Sequence, residues 1–219
     1  MSAFDPQWRD ISTTSRSTIS LYRIHQAISH MFRRRGQESG LSPAQIQTLL
    51  FLRYARPGIR TIGGLAARLA VSYATASGIA DALERKELVE RRPDPTDQRV
   101  MVLSLTTMGL AQVEQLEDVV DDIDAAINSM PDDVQQLLEH ALKQIVGRLQ
   151  QEGHVITYEM CWGCHFFRQD AHPQHPGGPH HCAFVDAPLP EPNTYLECPD
   201  FVSRVVNDHV VDDHVVDDH

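Results

Sequence analysis

Between Thr61 and Leu105 the apolar spacing changes from a helical to an extended period, which restricts the fold more than any other feature of the chain. Thr61 precedes Ile62, Leu65, Ala66 and Leu69, and Ser72 precedes Ile79, Ala82 and Leu83 after a linker of about two residues. Hydroxyl side chains placed there accept the orphan amides of a first helical turn. A short helix to Leu69 and a longer one to about Glu87 are therefore predicted. Leu88–Arg92 reads as a strand, Pro93–Asp97 as a turn and Val100–Leu105 as the returning strand. Short helix, tight turn, longer helix and hairpin together make a helix-turn-helix with a wing, whose second helix is built to enter a major groove.

Helices flank this unit on both sides. From about Arg16 to Arg35, Ile19, Leu21, Ile24, Ala27, Ile28 and Met31 recur every three or four residues. Arg33, Arg34 and Arg35 before Gly36 read as its solvated end. Ser42-Pro43 starts another helix carrying Ile46, Leu49, Leu50 and Tyr54, and Arg56-Pro57-Gly58 stops it. From Thr106 one long helix is expected through Leu110, Val113, Leu116, Val120, Ile123 and Ile127. After Pro131 a further helix carries Val134, Leu137, Leu138, Ala141, Ile145 and Leu149. The fold class is mainly α with a small β-hairpin wing.

The net charge of −11 over 219 residues argues, taken whole, against a partner such as nucleic acid. Resolved along the chain it does the opposite. Residues 1–105 hold 15 basic and nine acidic side chains, whereas residues 106–152 hold two and ten, and residues 153–219 two and eleven. All four cysteines, nine of twelve histidines and seven of thirteen prolines follow residue 152, so a module boundary is expected near Gly153. The first eleven residues lack a signal pattern, and no stretch approaches the roughly 18 apolar residues of a spanning helix. A cytoplasmic protein that does not enter a membrane is expected, in which four cysteines act as ligands or redox groups.

The run from Ile62 to Arg99, with Arg91-Arg92-Pro93-Asp94-Pro95-Thr96-Asp97-Gln98-Arg99 at the wing and Leu103 to Gly109 after it, resembles the MarR family of winged-helix transcription regulators. The resemblance covers about residues 15–150. It implies a homodimer built from the first and last helices, reading a pseudo-palindromic operator in double-stranded DNA. Carried over by position, Ser72, Tyr73, Thr75, Ala76 and Ser77 face base edges and phosphates, and Arg92 and Arg99 serve the wing. Asp97 orients Arg99. Glu87 stands where the family usually has glycine.

The remaining cysteines follow the spacing C-x2-C-x17-C-x15-C at Cys161, Cys164, Cys182 and Cys198. Four thiolates in a short, proline-rich segment imply a metal centre that supplies folding energy. Zinc and a [4Fe-4S] cluster both accept four cysteines. The order of one close pair and two lone cysteines, with the segment Cys164 to Ala171, resembles high-potential iron–sulfur proteins, which implies the cluster; zinc is the alternative. Trp162, Phe166, Phe167, Phe184 and Phe201 are expected to form the apolar shell, and, with four cysteines available as ligands, most of His165, His172, His175, His180 and His181 to be loop or surface residues. The repeat Asn207–His219 reads as a disordered acidic tail, with weak metal binding by His209, His214 and His219 as the other reading.

The expected organisation is a dimerisation helix region over 1–35, the winged helix-turn-helix over 36–105, dimerisation helices over 106–152, a small irregular four-cysteine module over 153–206 and the tail over 207–219. No nucleophile–base pair or phosphate loop is present in the sequence, so no enzyme is expected. The expected function is a DNA-binding regulator, a repressor, modulated by an iron–sulfur cluster that senses redox, iron or nitric oxide. Two alternatives stand beside it. One is a regulator answering a small aromatic or lipophilic effector with a structural zinc site, and the other is an electron-transfer protein that binds no DNA.

Overall fold

The computed structural model describes residues 2–55, 57–94, 97–155, 161–195, 198 and 200–202. The chain divides into two compact units, residues 1–53 with 60–131, and residues 54–59 with 132 onward. The tail repeat lies outside the described residues.

In the first unit α1 (Pro6–Ile11) and α2 (Thr13–Ser39) are followed by α3 (Pro43–Tyr54), α4 (Ile62–Leu69) and α5 (Tyr73–Arg85). The wing is an antiparallel pair, β1 (Val89–Pro93) and β2 (Met101–Leu105), in a register that sets Val89 against Leu105 and Arg91 against Leu103. Thr61 bridges Val102 at its side. Ile46, Leu49, Leu52, Leu65, Leu83, Leu103 and Val113, drawn from α3 to α6 and the wing, are fully buried and belong to the core of this unit. Burying an aliphatic side chain of this size stabilises by roughly 1.5–3 kcal/mol.

Two sequence expectations change here. Helix α2 runs past Gly36, because Gly40 in the left-handed region is its stop and Leu41 N donates to the Gly36 carbonyl at 2.9 Å. Gly36 is instead a close-approach residue: a Cβ there would lie 2.4 Å from the Leu41 carbonyl oxygen. The helix expected from Thr106 to Ile127 is also broken, into α6 (Thr107–Glu114), a 3-10 turn (Glu117–Val120) and α7 (Asp121–Asn128). Buried Val113, Leu116 and Val119 repeat every three residues, the 3-10 rather than the α period. Arg35 catches the interruption. Its guanidinium donates to the Gln115 carbonyl at 3.0 Å and pairs with Asp118 at 2.6 Å, so it is not a solvated helix end.

The second unit contains α8 (Asp132–Gln151) and a three-stranded antiparallel sheet, β3 (Phe167–Arg168), β4 (His180–Cys182) and β5 (Ala187–Leu189). The boundary therefore falls before α8 and not near Gly153. Helix α8 packs on the turn Cys161–Gly163, where Gly163 lies against the buried Gln150 amide.

Candidate functional site

Three residues, Ala70–Ser72, separate α4 from α5. Ala70 stands in the left-handed region at φ 51°, and Val71 N closes on the Ala66 carbonyl at 3.0 Å, which turns the chain sharply. Ser72 then caps α5: its Oγ accepts from Thr75 N at 3.1 Å and lies 2.8 Å from Thr75 Oγ1. Ser72, Tyr73 and Thr75 are exposed, with Tyr73 59% accessible, so the front of α5 offers hydroxyls, a phenol and free first-turn amides.

Ala76 corrects the sequence reading. It is completely buried and, with Ala80 and Leu83, forms the inward stripe of α5, so its methyl does not face a ligand. Ser77 is half-buried, and its carbonyl accepts from Arg91 Nη2 at 2.8 Å. Exposed Ala74 and Gly78 were not singled out from the sequence, yet both belong to the outer face of α5. A glycine inside a helix costs about 1 kcal/mol relative to alanine, and that was the available signal.

Strand alternation separates the two wing arginines. Arg91 turns inward, only 16% exposed, and ties β1 to α5 through Asp81 at 2.5 Å and the Ser77 carbonyl. Its neighbour Arg92 turns outward at 73% exposure, with Glu90 at 2.9 Å. At the wing tip Arg99 is 91% exposed and grips Asp97 with Nε and Nη2, each 3.0 Å from a carboxylate oxygen. Its own N–H donates to the same carboxylate at 3.0 Å. The hydrogen bonds from Arg99 hold the Asp97 carboxyl below the ordinary range, and Asp97 raises the guanidinium in return. Asp97 thus holds the Arg99 guanidinium in a two-pronged grip.

At the end of α5, Leu88 N bonds the Leu83 carbonyl at 3.0 Å and Glu87 N the Glu84 carbonyl at 2.9 Å, a Schellman closure with Glu87 at φ 58°. Glutamate therefore takes up the glycine conformation. Thr106 Oγ1 donates to the Glu87 carbonyl at 2.6 Å and fastens the turn.

In the second unit Cys161, Cys164, Cys182 and Cys198 all line one pocket. Cys161 and Cys164 lie on one tight turn, with Cys164 N donating to the Cys161 carbonyl at 2.8 Å. Pairing of β3 with β4 sets Cys182 opposite Phe167, and none of the four is disulfide-bonded. Phe166, Phe167, Phe184 and Phe201 line the same pocket. Trp162 instead packs edge-on against Phe167 and His180, with the Lys143 ammonium 5.2 Å over its ring. Of the five histidines from His165 to His181, His180 is the buried one: Nδ1 accepts from Asp170 N at 3.1 Å and Nε2 meets Glu191. His172 pairs with His181 at 3.1 Å.

A capped, exposed α5 reached by a short turn, flanked by an arginine-tipped hairpin, defines a winged helix-turn-helix protein. The family model described as MarR family matches residues 39–100. The HTH-type transcriptional repressor YetL of Bacillus subtilis is 30% identical over 132 residues, 60% of this chain and 79% of that protein. The chain belongs to the MarR family. The repressor NicR of Pseudomonas putida is 34% identical over 95 residues, 43% of this chain and 57% of that one. Among solved structures, a complex of S. aureus MepR with DNA has the same fold, with a TM-score of 0.54 at 21% identity over 60% of this chain and 97% of that one. About two-fifths of this chain lies outside these matches. Among the described residues no helix is long and apolar enough to cross a membrane.

Proposed function

We propose that the protein is a homodimeric, sequence-specific DNA-binding regulator of transcription, acting as a repressor, and not an enzyme. The observation that carries this reading is the wing tip. Arg99 is exposed yet held in a bidentate fork by Asp97, a cation aimed away from the core at no cost to packing. With the Ser72-capped front of α5 beside it in the chain, the unit offers a groove-reading helix and a minor-groove or phosphate contact. YetL and NicR, both named transcriptional repressors, support the same role. Dimerisation is supported by α8, a 20-residue helix whose Val134, Leu137, Ile145 and Leu149 are exposed in the single chain. A second copy covers that apolar stripe. The four-cysteine pocket is the input: a metal centre held there, gained or lost with iron supply, oxidants or nitric oxide, alters the dimer's grip on its operator.

The test is binding of the full-length dimer to its own upstream DNA across a salt series. Affinity falls steeply with salt, and Arg99→Ala removes at least nine-tenths of it while leaving the fold intact. Salt-insensitive binding, or an Arg99→Ala variant that binds as the parent does, overturns the reading.

A further inference from the structure

At Gly36 and Gly109 the chain's own packing requires glycine, since a Cβ would lie 2.4 Å and 2.0 Å from a carbonyl oxygen. Gly78 has no such reason. It stands in the interior of α5 and is exposed, and a Cβ built there would meet nothing within 4 Å. Nor does its backbone enter the left-handed region. Alanine would fit without strain and would strengthen the helix, because glycine has more conformational freedom to lose on folding. Whatever needs the empty space lies outside the folded chain.

Helical geometry shows which way that space faces. Successive side chains turn by about 100°, so residues two positions before and two after Gly78 share a mean direction opposite to it. Those residues are Ala76 and Ala80, both completely buried. Gly78 is thus the centre of the outward face, and exposed Ala74, one turn earlier, adds only a methyl. A helix is about 10–12 Å across with its side chains, and the major groove is about 12 Å wide and 8.5 Å deep. How deeply the helix seats is therefore set by what protrudes from the middle of its outward face. The hydroxyls of Ser72 and Thr75 are short, and they reach base edges only from a deeply seated helix. The turn is also held in place. Arg91 donates to the Ser77 carbonyl at 2.8 Å and pairs with Asp81 at 2.5 Å, which ties this stretch of α5 to the wing and neutralises a carboxylate three residues from Gly78.

We infer that Gly78 is the point of closest approach between α5 and the floor of the major groove. Its missing side chain sets the depth at which the helix seats, and with it the discrimination between sequences. The inference rests on the reading of the protein as a DNA-binding regulator.

The experiment compares the full-length parent with Gly78→Ala and Gly78→Leu. Each is titrated onto the protein's own upstream DNA and onto an unrelated duplex of equal length, at one salt concentration. Alanine and leucine both favour helix, so the unfolding midpoint rises by about 2–4 °C in each variant. Affinity for the upstream DNA falls about threefold to tenfold with alanine and at least about a hundredfold with leucine. Affinity for the unrelated duplex stays within about threefold of the parent, because phosphate contacts from the exposed wing arginines survive a shallower seat. A glycine kept for the fold alone would not move stability and sequence preference in opposite directions. A Gly78→Leu protein that binds the upstream DNA within about threefold of the parent overturns the inference, and so does an equal loss on both duplexes. In either case a parent that prefers its upstream DNA keeps the regulator reading, whereas a parent that binds both duplexes alike removes that reading and this inference with it.

Discussion

Lys143 Nζ on α8 lies 2.9 Å from Glu191 Oε1, 48 residues further along the chain. The second oxygen of Glu191 meets buried His180, and the same ammonium lies over Trp162, the residue after Cys161. One lysine thus joins the long exposed helix to the turn that carries two of the cysteines. Lys143→Met keeps the stem and removes the charge. It is expected to destabilise the second unit by about 1–2 kcal/mol, the range of a partly solvated charged hydrogen bond, read from the urea midpoint. Because α8 is the dimer helix proposed here, the same variant weakens the response of DNA binding to the state of the pocket.

Asp97 positions Arg99, so Asp97→Asn is expected to weaken operator binding about threefold to tenfold, less than loss of the arginine itself. An equal loss in both variants would falsify a purely orienting role. Since the paired carboxyl is depressed below its ordinary value near about 3.9, the fork is complete above that value and is lost only as pH falls through the lowered one. Titration of this pair therefore leaves affinity level between about pH 5 and 8, which binding isotherms across that window check.

Glu87 holds a left-handed conformation that costs a side-chain residue about 1–3 kcal/mol, partly offset by the greater chain entropy of glycine. Glu87→Gly is accordingly expected to stabilise the first unit by about 0.5–1 kcal/mol, with DNA affinity unchanged. Chemical denaturation of the two proteins side by side measures it.

Gly109 lies where α6 crosses the root of the wing: a Cβ there would sit 2.0 Å from the Leu88 carbonyl oxygen. Gly109→Ala forces α6 away from that strand, and overpacking of this kind costs about 1–3 kcal/mol. Both the unfolding midpoint and operator affinity fall, since the wing root also carries the Thr106 N bond to the Leu88 carbonyl at 3.1 Å.

What the residues reveal by themselves is whatever is decided within a few positions. Thr61, Ser72 and Thr106 announced helix starts because a cap joins a side chain to an amide three residues away, and each makes that bond. The wing, its Asp97–Arg99 pair and the spacing of the four cysteines were legible for the same reason. Which face of an alanine-rich helix turns inward was not, because Ala76 is small enough for either side, and only the packing of α5 on α4 and β1 buries it.

Arg91 and Arg92 are identical in sequence, and the register of β1 on β2 decided that one fastens the wing while the other faces solvent. Gly36 looks like a helix end, and Gly109 like an ordinary helical position, until the Leu41 and Leu88 carbonyls are seen pressed against them. Local hydrogen-bonding and hydrophobic period were enough to identify a winged helix-turn-helix with a cysteine-rich appendage. Gathering Cys161 and Cys198 around one apolar pocket, and tying Lys143 to Glu191, required contacts between distant segments, which the sequence does not encode at any fixed spacing.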